Sequence, residues 1–150
     1  IPSNQQSVRH IKLRFKEPGS DTETKSIILT EFTKPASFTQ TLSKEELQIY
    51  RATLKSTHSE SNSTFVSKAG IGRSAALSVY NQLANLIESR DIKTNAQLEQ
   101  AFYEHIAQGR SDRGVRFLDV AAQRESIMAA LQEMLKSAPN AEQNLKPNQD

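Results

Sequence analysis

The sequence predicts a mixed α/β domain, a small sheet with helices packed against it, and three observations lead there. Near the start of the chain apolar residues alternate with cations, the two-residue period of a strand. From Ser43 onward they recur every three or four positions, the period of amphipathic helices. Turn-forming residues gather between these blocks, so the strands come early and the helices late, as in α/β or α+β folds. At 150 residues, 36% apolar and 24% charged, the chain suits one soluble domain rather than two.

Ile11, Leu13 and Phe15 alternate with Lys12 and Arg14, which predicts a half-buried strand over Val8 to Phe15. Glu17 to Lys25 reads as turn, and Ser26 to Phe32, with Ile27, Ile28 and Leu29, reads as a second strand paired in a hairpin. Ser43 with Glu46 is a capping-box pattern that starts a helix carrying Leu47, Tyr50 and Leu54 through about Thr57. The polar stretch 58–63 is a loop, and Thr64, Phe65 and Val66 form a short β-prone run leading into glycines. From Gly72 to Ser89 the residues Ala76, Val79, Tyr80, Leu83, Leu86 and Ile87 share one helical face, the clearest periodicity present. Thr94 with Gln97 opens a further helix carrying Leu98, Phe102 and Ile106, which Gly109 is expected to end. A basic loop from Arg110 to Arg116 follows, and helical spacing resumes from Phe117 through Val120, Ile127, Leu131 and Leu135. The domain is therefore expected over residues 1–136, with 137–150, poor in apolar residues and holding two prolines, a flexible C-terminal tail. Tyr80 and Tyr103 read as core.

Composition removes several classes of function. No run approaches the roughly 18 apolar residues of a membrane span, and no basic-then-apolar secretory signal follows Ile1. With no cysteine, disulfides, thiolate metal sites and cysteine nucleophiles are excluded. His10, His58 and His105 are dispersed without metal-ligand spacing, so neither a metal nor a cofactor is expected. The net charge of +2 gives no argument for nucleic acid, and any anion site must be local.

One segment supplies such a site: Ser67, Lys68, Ala69, Gly70, Ile71, Gly72, Arg73 and Ser74, placed between the β-prone run and the long helix. Glycines let a loop curl closely round a ligand, and the first N–H groups of a helix lack internal partners and carry partial positive charge, so an anion is stabilised there. Arg73 adds a two-pronged donor suited to phosphate. Gly70-x-Gly72-x-x-Ala75 also fits the dinucleotide fingerprint formally, but that reading needs a second parallel strand where Thr94 instead begins a helix. A Walker loop fails because its Gly-Lys-Ser/Thr ending is absent.

These eight residues resemble the signature loop of protein tyrosine phosphatases, His-Cys-x-x-Gly-x-Gly-Arg-Ser/Thr at a strand-to-helix junction. Val66 stands at the His position and Ser67 at the Cys position, while Gly70, Gly72, Arg73 and Ser74 match. Upstream, Phe32 to Ala36 resembles the approach to the family's Trp-Pro-Asp loop, with Lys34 at the Trp position and Ala36 at that of the general acid. Downstream, Arg113 to Met128 resembles the segment bearing the water-positioning Gln, with Asp119 in its place and Gln123 matching a second Gln one turn later. The resemblance implies a central sheet flanked by helices, with the signature strand, loop and helix at residues 64–89, and it covers the C-terminal half of such a domain.

It also implies that catalysis is lost. Family members attack phosphorus with a thiolate, and the hydroxyl of Ser67 lacks the ionisation that a thiol reaches near about pH 8.5. Ala36 donates no proton, a loss of roughly 10²–10⁴-fold in general acid catalysis. Phosphate binding is less affected, because a neutral hydroxyl removes repulsion against the dianion while the N–H cradle and Arg73 remain. Lys34, Lys68, Arg110, Arg113 and Arg116 would form a basic rim if the family fold holds. The expected function is thus that of a catalytically inactive phosphatase-like domain that binds a phosphorylated protein or another protein partner, with no cofactor, no nucleic acid and no membrane span. Two alternatives stay open: an active phosphatase in which Ser67 is an engineered replacement for Cys, and a scaffold whose phosphate loop is vestigial. The Ala- and Gln-rich helices are also similar to those of small phosphatase-like bacterial effectors, which act after delivery into a host cell.

Overall fold

The computed structural model describes residues 7–33, 41–57, 64–66 and 72–138. They contain a two-stranded antiparallel sheet and four helices, a mixed α/β composition, and the chain divides into two compact units, Ile1–Gln40 and Thr41–Asp150.

The first unit is the hairpin of β1, Ser7–Lys16, and β2, Glu23–Thr33, in a register that sets Ile11 opposite Leu29 and Leu13 opposite Ile27. The turn explains its tightness: Pro18 follows Glu17, Gly19 takes φ 82°, and the Ser20 N–H donates to the Glu17 carbonyl at 3.0 Å, a type II pattern that only a residue tolerant of positive φ completes easily. Arg9 and Glu31 pair across the strands at 3.0 Å, as do His10 and Thr30 at 3.1 Å. The expected half-buried face is not found. Leu13, Phe15, Ile27 and Leu29 share one face yet remain 43–46% exposed, because among the described residues of this unit no second layer lies over them.

The second unit is helical: α1, Lys44–Thr57; α2, Arg73–Glu88; α3, Asn95–Arg113; and α4, Ala121–Ser137. Its core draws on all four, with Leu47, Leu83, Leu98, Ile127 and Leu131 fully inaccessible. Both capping boxes form as the sequence predicts. Ser43 Oγ accepts from the Glu46 N–H at 3.1 Å and Thr94 Oγ1 from the Gln97 N–H at 3.2 Å, each with the reciprocal bond to the cap residue's own N–H. At its far end α2 closes in a Schellman motif: the N–H of Asp91 donates to the Leu86 carbonyl and that of Arg90 to Ile87, with Arg90 in the left-handed region at φ 65°.

Four expectations need correction. Gly109 does not end a helix: α3 runs on to Arg113 and stops at Gly114, whose φ of 101° suits glycine, so half of the expected basic loop is helical. Gly109 is instead a point of close approach, since a Cβ there would collide with the Phe117 ring. Residues 115–118 are turn, and α4 begins only at Ala121. Thr64, Phe65 and Val66 form no strand, and among the described residues the hairpin is the only sheet, so the signature strand expected before the loop is absent from its described part. Tyr103 is 66% exposed rather than core, because it follows Phe102 directly and neighbours on a helix point in different directions; Tyr80 is buried as expected. Residues 139–150 of the expected tail lie outside the described residues, whereas Ser137 is the last residue of α4.

Candidate anion-binding site at the start of α2

Of the eight loop residues, Gly72, Arg73 and Ser74 are described; Ser67, Lys68, Ala69, Gly70 and Ile71 lie outside the described residues, as do Lys34, Ala36 and His58. Gly72 precedes the helix with φ −110° and ψ −95°, and its carbonyl accepts the first helical bond from Ala76 at 2.8 Å. It has no side chain to cap the helix, and the first turn of α2 holds no acidic residue. By contrast, Ser43 caps α1 and Thr94 caps α3. The start of α2 therefore carries the partial positive charge of its N–H groups together with the half-buried guanidinium of Arg73.

Ser74 is 6% exposed on the inward side of the same turn. Tyr50 of α1 is buried, and its hydroxyl donates to Glu46 Oε2 at 3.4 Å. Burial and the Glu46 carboxylate push this phenol up to about 12, while the charge of Arg73 acts on it in the opposite sense. Arg73 thus lies within electrostatic reach of the α1 surface.

The downstream residues are placed differently from one another. Asp119 is exposed and sits 3.7 Å from the Arg116 guanidinium. Gln123, one turn later, is 3% exposed, and its amide holds both groups of one peptide residue: Oε1 accepts from the Leu42 N–H at 2.8 Å and Nε2 donates to the Leu42 carbonyl at 3.0 Å. That amide anchors the chain leading into α1. Of the expected rim cations, Arg110 in the last turn of α3 donates through Nε to the Phe117 carbonyl at 3.3 Å, and Arg116 on the turn after α3 faces Asp119. Nearby, Arg124 donates to the Leu118 carbonyl at 2.8 Å. Among the described residues no group of acidic, His or Cys side chains could hold a metal ion; His105 bonds the Ala101 carbonyl through Nδ1 at 2.8 Å, and His10 bonds Thr30.

The sequence reading overlooked a polar cluster around one buried arginine. Arg51, 5% exposed, reaches from α1 to α2, donating to Asn81 Oδ1 and, at 2.9 Å each, to Asn85 Oδ1 and Glu88 Oε2; Lys55 meets the other Glu88 oxygen at 2.7 Å. Burial would raise the Glu88 carboxyl, but the hydrogen bonds and charges of Lys55 and Arg51 outweigh it and hold the group below the usual carboxylate range. The signal was available: Asn81, Asn85 and Glu88 follow the i, i+4, i+7 stripe of a helix, and Arg51 shares the stripe of Leu47 and Leu54.

A second missed feature is a groove of about 410 Å³ between α2 and α3 that begins at Ser74 and runs past Ser78 to Gln82. Phe65, Ala75, Val79 and Phe117 contribute apolar surface, but Thr64, Ser74, Ser78, Gln82, His105, Gln108, Asp112 and Arg113 make its lining mostly polar and charged. No family model, curated protein or solved structure matches the chain.

Proposed function

We propose that the chain is a catalytically inactive, tyrosine-phosphatase-like domain that works by binding a phosphorylated protein at residues 67–74. The observation that carries this reading is the meeting of two features at one point: the sequence Gly70-x-Gly72-Arg73-Ser74 and a long helix starting at Arg73 with no side-chain cap and no acid in its first turn. A helix start of this kind favours a phosphate dianion through its partial positive charge, and the guanidinium adds two directed donors. The order of elements, hairpin, α1 and long helix, also supports the likeness; a central sheet is not part of that support.

Ser67 in place of the reactive thiol makes binding, not turnover, the function. Titration of a fluorescent phosphotyrosine peptide onto the chain is expected to show saturable binding that Arg73→Ala weakens at least about tenfold, the scale of one charged hydrogen-bonding pair. No hydrolysis of an aryl phosphate is expected, either before or after Ser67→Cys. Steady turnover by the unaltered chain, or equal affinity after Arg73→Ala, would overturn the proposal; activity appearing with Ser67→Cys alone would favour an active phosphatase disabled at one residue.

A further inference from the structure

We propose that two copies of this chain associate through the outer edge of β2, in an antiparallel, two-fold pairing centred on Ile28 that joins their hairpins into one four-stranded sheet.

The hairpin needs such a partner. A two-stranded ribbon alone is marginally stable in water, and independent stability takes a further strand or a packed layer. Among the described residues β2 pairs only with β1, so the backbone groups of its other edge are a template for another strand. The two edges are guarded differently. β1 carries Arg9, Lys12, Arg14 and Lys16 with no acidic residue, and charges of this kind discourage edge pairing in natural sheets. A two-fold pairing of β1 with itself, centred on Lys12 or Leu13, would set Lys12 against Lys12 or against Arg14. From Ser26 to Thr30, β2 has no charge, proline or glycine, and Ile27, Ile28 and Leu29 are 43–46% exposed.

The sequence of β2 is complementary to its own reverse. A two-fold antiparallel pair centres on a residue, because its ladder bonds join groups that point outward on both edges. With Ile28 at the centre, Ile27 falls opposite Leu29 of the second copy, Ser26 opposite Thr30 and Lys25 opposite Glu31, and the symmetry repeats each pair. Aliphatic, hydroxyl and opposite-charge pairs are the ones that stabilise antiparallel ladders. The neighbouring registers lose this match. Centring on Ile27 sets Glu23 against Glu31, and centring on Leu29 sets Ile27 against Glu31. Glu31 meets Arg9 of its own hairpin at 3.0 Å in an exposed pair, so the dimer gives its carboxylate a second cation. Ile27 and Leu29 share one face of the hairpin, so the pairing also brings the two apolar faces side by side.

The chain has no cysteine, so one introduced thiol reports the register without background. Ile28→Cys puts the thiols on the two-fold axis, where opposed Cα atoms lie about 4.5–5.5 Å apart and within disulfide reach, whereas Ser26→Cys holds them more than about 13 Å apart. Mild oxidation of the intact chain is expected to cross-link most of the first variant and little of the second. Lys25→Glu and Glu31→Lys are each expected to self-associate at least about tenfold more weakly than the unaltered chain, and to pair with one another when mixed, since the charges across the ladder are then opposite again. Sedimentation of the unaltered chain should show a mass rising toward that of two chains between about 1 and 100 μM. If the variants fail to fold, that measurement decides. A single-chain mass over the whole range would overturn the proposal. So would a dimer that neither charge variant weakens, equal cross-linking at positions 26 and 28, or charge variants that do not pair on mixing.

Discussion

Replacing Gln123 with leucine removes the amide that holds Leu42 and keeps the side chain's approximate bulk. Both residues are almost inaccessible, Gln123 at 3% and Leu42 at 4%, so water cannot replace the lost partners. The bonds removed are the 2.8 Å bond from the Leu42 N–H and the 3.0 Å bond to its carbonyl. Each buried backbone group left without a partner costs about 1–3 kcal/mol. The more apolar leucine returns about 1 kcal/mol, and the expected loss is about 3 kcal/mol. For a unit of this size that lowers the thermal midpoint by about 12 °C. Urea unfolding followed by far-ultraviolet circular dichroism measures it as a lower midpoint at unchanged slope. Gln123→Glu supplies an internal control with a defined sign. Its carboxylate can accept from the Leu42 N–H but repels the Leu42 carbonyl, whereas its protonated form donates there again. The folded pKa at that position should therefore be raised, so the variant's stability is full at low pH and falls as pH rises through that value. A loss from Gln123→Leu of under about 0.5 kcal/mol, the range of an ordinary surface change, would refute the clamp. Asp119→Ala, at an exposed position facing Arg116, is the matched surface substitution and should stay within that range.

Gly109→Ala should destabilise by about 1–2 kcal/mol despite alanine's better helix propensity, since the added methyl meets the buried Phe117 ring, and Phe117→Leu in the same chain should recover part of the loss in thermal melts. Arg90→Gly should stabilise by about 0.5–1 kcal/mol, because the left-handed turn at φ 65° that ends α2 costs least for glycine. The depressed Glu88 carboxyl contributes stability that is present above its unfolded pKa and is lost as pH falls through the lower folded value. Acid titration of Glu88→Gln should accordingly show a shallower decline in stability at the acid end than the unaltered chain, and an unchanged acid profile would refute the ion-pair assignment.

What the sequence made legible was local. Each capping box spans four residues, the Pro18-Gly19 turn is fixed by its own dihedral preferences, and the α2 stripe repeats often enough to override noise. The misread features depend on distant partners. Gly109 looks like a helix stop, yet what requires a glycine there is Phe117, on the turn after the helix. The run Thr64 to Val66 has strand propensity, but a strand needs a neighbour to pair with, and propensity names none. Gln123 drew notice in the sequence only by its spacing, while its engagement with Leu42 joins residues 81 positions apart. The same holds for the site: the glycines and Arg73 were readable as a phosphate motif, whereas the groove exists only because α3 packs beside α2.

The two halves of α2 are held differently. The C-terminal half is pinned: Asn81, Asn85 and Glu88 receive the buried Arg51, Lys55 closes the far side of Glu88, and the Schellman turn satisfies the last carbonyls. In the N-terminal half the groove is lined by the short side chains of Ser74, Ala75 and Ser78, and Gly72 adds no cap. Were stability the only requirement, a capping residue at position 72 and larger side chains at positions 75 and 78 would improve this end at little cost. One end is fixed by a half-buried ion pair, whereas the other carries the partial positive charge of the helix start beside a mostly polar groove. That asymmetry is why changes at Arg51 should loosen the whole helix whereas changes at Ser78 should leave its C-terminal half in place.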